Sequence, residues 1–200
     1  VTFRCVLSTA NPDKAAEIRA IFSELGGIEL LERPTEIPDV EETGTTLVEN
    51  ARLKAVALST ATGLVAIADD TGLLVDALGG EPGVYSARYA GEDASYQDNC
   101  DKLLKELEGI ENRHARFQTV AFVSFPDGHE FFVDGEVLGS IGGEARGEGG
   151  FGYDPLFIPE EGDGRSFAEM TAHEKQSLSH RARAFRALAE ELRQRGLIDS

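Results

Sequence analysis

The 200-residue sequence contains no tryptophan, one methionine and only two cysteines. Cys5 and Cys100 lie far apart and show no Cys-x-x-Cys spacing, so neither a disulfide scaffold nor a cysteine zinc site is expected, and both are read as free thiols. No apolar run approaches the roughly 20 residues that a membrane span requires. The stretch Val1-Thr2-Phe3-Arg4-Cys5-Val6-Leu7 is too short and too soon polar for a signal peptide, which makes the cytoplasm the expected location. Positive charge is scarce as well: 19 Lys and Arg face 36 Asp and Glu, a formal net charge of −17. That balance opposes binding to nucleic-acid polymers, which depends on clustered Lys and Arg neutralising phosphates. It is compatible with a small polyanion accompanied by a divalent cation, because carboxylates and phosphates share hard cations.

What is present has the make-up of an ordinary soluble globular protein, 41% hydrophobic and 28% charged. At about 100–200 residues per domain, residues 1–200 are read as one domain. Phe3 to Leu7 reads as a buried strand. Asn11-Pro12 then offers an N-cap and a first-turn proline, and Ile18, Ile21, Phe22 and Leu25 recur at helical spacing up to Gly26-Gly27. A second helix is predicted from about Thr46 to Thr62, and Leu64 to Ala68 as a short strand ending in two aspartates. Residues 71–91 read as loops with a short strand. A helix over Ser95 to Leu107 follows, then a hairpin whose strands, Phe117 to Phe125 and Phe131 to Leu138, flank the turn Pro126-Asp127-Gly128. The last helix carries Leu178, Ala182, Phe185, Ala189 and Leu192.

Four segments carry candidate chemistry. Lys14 sits in the first turn of its helix, where the macrodipole disfavours a cation unless an anion is bound, and Ser8, Thr9 and Asn11 add donors at the same mouth. The competing reading is a capped surface helix with a solvated lysine. Asp69 and Asp70 lie where a strand is expected to end, the place where open α/β sheets bind ligands; strand alternation lets only one of them meet a given metal or substrate, and spacing does not say which. An Asx turn at Thr71-Gly72 is the alternative. Gly147-x-Gly149-x-x-Gly152 has the form of a dinucleotide fingerprint, but Tyr153-Asp154-Pro155 follows where a helix should begin, so that reading is rejected. The glycines are read instead as a tight loop presenting Phe151 and Tyr153. Thr171-x-x-Glu174 has the form of a capping box that places Lys175 near a helix start, and Lys175, His180 and Arg181 form a possible cationic jaw.

Assembled in order, these segments resemble the inosine triphosphate pyrophosphatase, or Ham1-like, family. The resemblance rests on Ser8-Thr9-Ala10-Asn11-Pro12-Asp13-Lys14, Glu41-Glu42-Thr43-Gly44 before Glu49-Asn50-Ala51, and Ala68-Asp69-Asp70-Thr71-Gly72 continuing through residues 78–91. Gly149 to Phe157, Phe167-Ala168-Glu169-Met170 and Ser179 to Ala184 complete it. The resemblance implies an α/β fold with a mixed, elongated, twisted sheet flanked by helices, two lobes around a central nucleotide cleft, and a homodimer. It implies Mg²⁺-dependent hydrolysis of ITP, dITP and XTP to the monophosphate and pyrophosphate. In that scheme Thr9, Asn11, Lys14 and Lys54 grip the phosphates, Glu42 and Asp70 hold the metal, and Asp70 accepts the proton of the attacking water. Thr71 keeps the hydroxyl of the serine more usual there. Phe151, Gly152, Tyr153 and Asp154 line the purine, and Lys175, His180 and Arg181 complete its contacts. Ala10 and Ala182 stand where glycine is commoner. A nucleotide sensor without hydrolysis is the alternative from another class, and a phosphoryl transferase is a weaker one, since no Gly-x-x-x-x-Gly-Lys-Ser/Thr loop is present.

Overall fold

A computed structural model describes residues 2–199; Val1 and Ser200, the ends of the expected domain, lie outside the described residues. The chain groups into two compact units. One comprises Val1–Asp70, Thr119–Gly135 and Arg181–Ser200, the other Thr71–Gln118 and Glu136–His180.

The first unit is built on β1 (Phe3–Ser8), α1 (Pro12–Leu25), β2 (Ile28–Leu31) and α2 (Leu47–Thr62). Helix α1 starts where the sequence marks it: Asn11 Oδ1 accepts the N–H groups of Asp13 and Lys14, and Pro12 follows directly. Its Ile18, Ile21 and Phe22 turn inward, and Gly26 at φ 68° ends it. The last helix, α5 (His180–Gln194), sends Phe185, Leu188 and Leu192 into the same core. Phe22 and Phe185 meet edge to face, centroids 5.2 Å apart. Burying each such ring contributes about 1.5–3 kcal/mol.

The second unit holds β4 (Pro82–Gly83), α3 (Tyr96–Glu106), β7 (Phe157–Pro159) and α4 (Ala172–Leu178). It has its own core, in which Leu73, Leu103, Leu107, Phe117, Phe157 and Phe167 are buried. Capping boxes set both helix starts, Ser95 with Asp98 and Thr171 with Glu174. Three strands, β3 (Ala66–Val75), β5 (His114–Ser124) and β6 (Glu130–Ile141), contribute residues to both units.

The strand order is β2-β1-β3-β5-β6-β7, with β4 paired to β3 off this path. Strand β1 runs parallel to β2 and β3, whereas β3–β4 and β6–β7 are antiparallel. The sheet is therefore mixed and flanked by helices, the α/β class expected. The turn after β5 closes as read, with Gly128 N–H bonded to the Phe125 carbonyl. No helix among the described residues is long and apolar enough to cross a membrane.

Two expectations are corrected. The strand expected to stop at Ala68 instead runs through Asp69, Asp70, Thr71 and Gly72 to Val75. Antiparallel pairing of Leu73 and Leu74 with β4, together with a bond from Leu73 N–H to Ser86 Oγ, draws the segment out straight and removes the Asx turn. The final helix is two: α4 ends at Leu178, Ser179 is extended at φ −67° and ψ 150°, and α5 starts at His180. Leu178 packs against the second core, while Ala182 onward belongs to the first.

Candidate active site

Strand alternation separates the two aspartates, since successive side chains of a strand point to opposite faces. Both are buried, and their partners differ. Asp69 Oδ2 lies 3.6 Å from Lys14 Nζ and 3.6 Å from Arg181 Nε. The Arg181 guanidinium, itself almost wholly buried, also reaches the Glu17 carboxylate from α5. Lys14 and Glu17 sit three residues apart on α1, so one helix face presents both to this cluster. Glu17 was not singled out from the sequence, although its spacing from Lys14 is a readable signal. Asn11 spends its carbonyl oxygen on the helix start, and Thr9 Oγ1 accepts the Asn11 N–H at 3.3 Å.

Asp70 faces α2. Lys54 Nζ bridges Glu42 Oε1 at 2.6 Å and Asp70 Oδ1 at 3.2 Å. The second oxygen, Asp70 Oδ2, is buried and has no hydrogen-bond partner among the described residues. Burial pushes the Asp70 carboxyl above the usual range, against the opposing pull of Lys54 and Lys14. Burial alone would lower Lys54, but the charges of Asp70, Asp69 and Glu42 outweigh it and hold the ammonium above its ordinary value. The result is a charged lysine beside a carboxylate made more basic than one in water.

Among the described residues no group of three or more His, Cys, Asp or Glu side chains is arranged as a metal cage. Mg²⁺ commonly takes one or two carboxylates and fills its remaining positions with water and phosphate oxygens. Glu42 and Asp70 fit that mode: they already share one cation, the Lys54 ammonium, and Asp70 Oδ2 is a buried acceptor without a donor.

In the second unit Asp154 organises the glycine loop. Its Oδ2 accepts the Phe151 N–H at 2.8 Å and Lys175 Nζ at 2.6 Å. Gly150, at φ 68°, leaves no space for a Cβ, which would run into that carboxylate oxygen. Lys175 Nζ stands 4.7 Å from the centroid of the Phe151 ring, so the loop presents an aromatic face with a buried cation over it. Tyr153 is a core residue, its hydroxyl donating to the Ser86 carbonyl at 2.8 Å, and the carbonyl of Gly152 accepts the Cys100 thiol. The His180 ring packs on Phe117 in a tilted arrangement, centroids 4.5 Å apart and planes inclined at 39°. By unit, Lys175 and His180 fall in the second and Arg181 in the first. Thr71 is the first residue of the second unit, in the middle of β3. Residues 147–156 contain no helix, in keeping with rejection of a dinucleotide fingerprint.

The sequence profile of the Ham1 family matches residues 5–191. A dITP/XTP pyrophosphatase of Streptomyces coelicolor is 47% identical over 196 residues, which cover 96% of this chain and 98% of that protein. A dITP/XTP pyrophosphatase of Streptococcus agalactiae is 50% identical over 189 residues, 92% of this chain; the match spans 58% of that longer protein. Among solved structures, a Ham1 protein from Coxiella burnetii is similar at a TM-score of 0.87 and 37% identity, covering 96% of this chain and 100% of that one. With a profile match over most of its length, and relatives alike in both sequence and fold, the chain belongs to the Ham1 family.

Proposed function

We propose that this chain hydrolyses the non-standard purine nucleoside triphosphates ITP, dITP and XTP to the monophosphate and pyrophosphate, clearing them from the nucleotide pool. The observation that carries the reading is the buried, donor-less Oδ2 of Asp70, set beside a lysine that neutralises the other oxygen. Such an atom suits a proton acceptor, because a carboxyl with a raised pKa is a better base near neutral pH. Water attacks the α-phosphorus, its proton passes to Asp70, the bond to the bridging oxygen breaks, and pyrophosphate departs. Lys14 and Lys54 supply positive charge along the phosphate chain, with Thr9 and Asn11 at the mouth of α1 and the Thr71 hydroxyl nearby in sequence. Mg²⁺ held by Glu42 and Asp70 would neutralise charge on the phosphate oxygens.

The Phe151 ring, the Gly152 backbone, Tyr153 and Asp154 would line the purine base. Tyr153 acts from within the core, by fixing the loop that carries Phe151. A 6-oxo group accepts hydrogen bonds from a cation such as Lys175, His180 or Arg181, whereas the 6-amino group of adenine cannot. We keep residues 1–200 as one pyrophosphatase domain, since the segments of the two units interleave along the chain. The working form is taken to be a cytoplasmic homodimer, which sedimentation tests for its assembly. The decisive experiment compares products from ITP, XTP, GTP and ATP with Mg²⁺: pyrophosphate from ITP and XTP is expected, and orthophosphate in its place would remove the α-phosphate mechanism.

A further inference from the structure

We infer that Asn50 is a positioning residue for Glu42 and acts through the backbone of Gly44. What Glu42 does chemically rests on the pyrophosphatase reading; the tie from Asn50 to Gly44 does not. Asn50 lies in the first turn of α2 and is fully buried. Its Oδ1 accepts the N–H of Gly44 at 2.8 Å. Its Nδ2 is buried with no hydrogen-bond partner among the described residues. A half-satisfied buried amide costs free energy, so packing alone would favour an apolar side chain here. The acceptor oxygen is the part of Asn50 that has a use in the protein as it stands.

Gly44 shows how close the approach is. A Cβ there would lie 2.6 Å from Asn50 Oδ1, 2.7 Å from Glu49 Cβ and 3.0 Å from the Asn50 nitrogen. Its φ is not positive, so contact with the helix, and not backbone conformation, demands glycine. Helix α2 therefore stitches the loop before it at three levels. Glu49 Oε2 accepts the N–H groups of Thr45 and Thr46 at 2.7 and 3.1 Å, Asn50 takes Gly44, and Lys54 takes the Glu42 carboxylate. Asn50 and Lys54 are four residues apart and share one helix face, so the loop is clipped along a single line. Releasing Gly44 frees the loop two residues from Glu42, and the 2.6 Å contact with Lys54 loses its support.

The test has two readouts. Amide hydrogen exchange, followed by NMR, should show Gly44 protected in the wild-type chain, unprotected in Asn50→Ala, and protected again in Asn50→Asp, which keeps the acceptor oxygen. Equal exchange at Gly44 in wild type and Asn50→Ala overturns the inference, as does loss of protection in a folded Asn50→Asp. In pyrophosphate release from ITP, Asn50→Ala should lower kcat by about 10²-fold with little change in KM, the scale expected of an ångström-level misplacement. In a Glu42→Gln background the same substitution should cost nothing further, because the group it positions is gone. An equal loss in both backgrounds marks Asn50 as merely structural and overturns the inference. Exchange is read without turnover, so an inactive wild-type chain would retire the pyrophosphatase reading and leave the Gly44 tie to be decided by exchange alone.

Discussion

Asp69 and Asp70 are adjacent on β3, yet Asp69 pairs with Lys14 and Arg181 while Asp70 pairs with Lys54. Their isosteric amides should therefore act oppositely. On the proposed mechanism Asp70→Asn removes the proton acceptor, which typically costs 10²–10⁴-fold or about 3–5 kcal/mol of barrier, so turnover of ITP should collapse while nucleotide binding persists. Its unfolding free energy should stay within about 1 kcal/mol of wild type or rise, because a desolvated charge is relieved and Lys54 keeps Glu42. Urea denaturation and a pyrophosphate assay on the same sample check both halves.

Asp69→Asn should be the destabilising member of the pair. It removes the carboxylate that lies between Lys14 and the buried Arg181, while the Glu17 pair with Arg181 is kept. A loss of about 2 kcal/mol is expected, less than for a fully isolated buried charge because Lys14 is partly exposed. A stability equal to wild type in urea would show that Asp69 does not anchor this cluster.

Gly150→Ala should strain the glycine loop to which the purine is assigned in the proposed function. The new methyl meets the Asp154 carboxylate on a backbone at φ 68°, a combination costing about 1–3 kcal/mol. Since the Asp154 carboxylate holds both the Phe151 N–H and Lys175, KM for ITP should rise more than kcat falls. Steady-state kinetics on the purified variant distinguish this from a loss of the chemical step.

The thiols should be silent near neutral pH. Burial pushes Cys5 up to about 12, and burial with the charges of Asp101 and Asp154 pushes Cys100 up to about 12, so neither is a thiolate at pH 8. Disulfide-exchange reagents should label the native protein only as fast as it unfolds. Both groups keep their protons longer folded than unfolded, so their contribution is intact below the unfolded value near 9.0 and is lost as pH rises toward 12. Base denaturation should be eased by Cys→Ser at neither site below pH 9.

At the acid end, Glu174 should titrate late. The Arg165 guanidinium at 2.8 Å and the Thr171 N–H hold its carboxyl down at about 2. A depressed carboxyl stabilises the native state above its unfolded value and loses that contribution as pH falls toward 2. Carboxyl NMR shifts of Glu174 should move only below pH 3.

Local chemistry made much of the fold legible. Asn11-Pro12 and Thr171 with Glu174 each mark a helix start with side chains that sit beside it in sequence. What escaped is nonlocal. Thr71-Gly72 resembles a turn until β4, ten residues on, pairs with the strand and keeps it straight. The apolar spacing of Leu178, Ala182 and Phe185 runs unbroken past Ser179, because periodicity cannot tell that Leu178 serves a different core. In the site, Lys14 and the Asp69-Asp70 pair are marked by local motifs, whereas Glu42 and Lys54 enter only through the family resemblance. The partner of Gly44 is not marked, since a backbone N–H six residues from a side-chain oxygen leaves no mark in hydrophobic pattern.

An unbroken β3 makes it a matter of parity which carboxylate meets Lys54. Leu7 lies opposite Ile67 and Ser8 opposite Ala68, and that ladder fixes which way every later side chain of the strand projects. Inserting one residue between Ala68 and Asp69 would exchange the two carboxylates, sending Asp69 toward Lys54 and Asp70 to the face of Arg181. Composition, charge and motif would hardly change, and the proposed chemistry would be lost by a half-turn of the backbone.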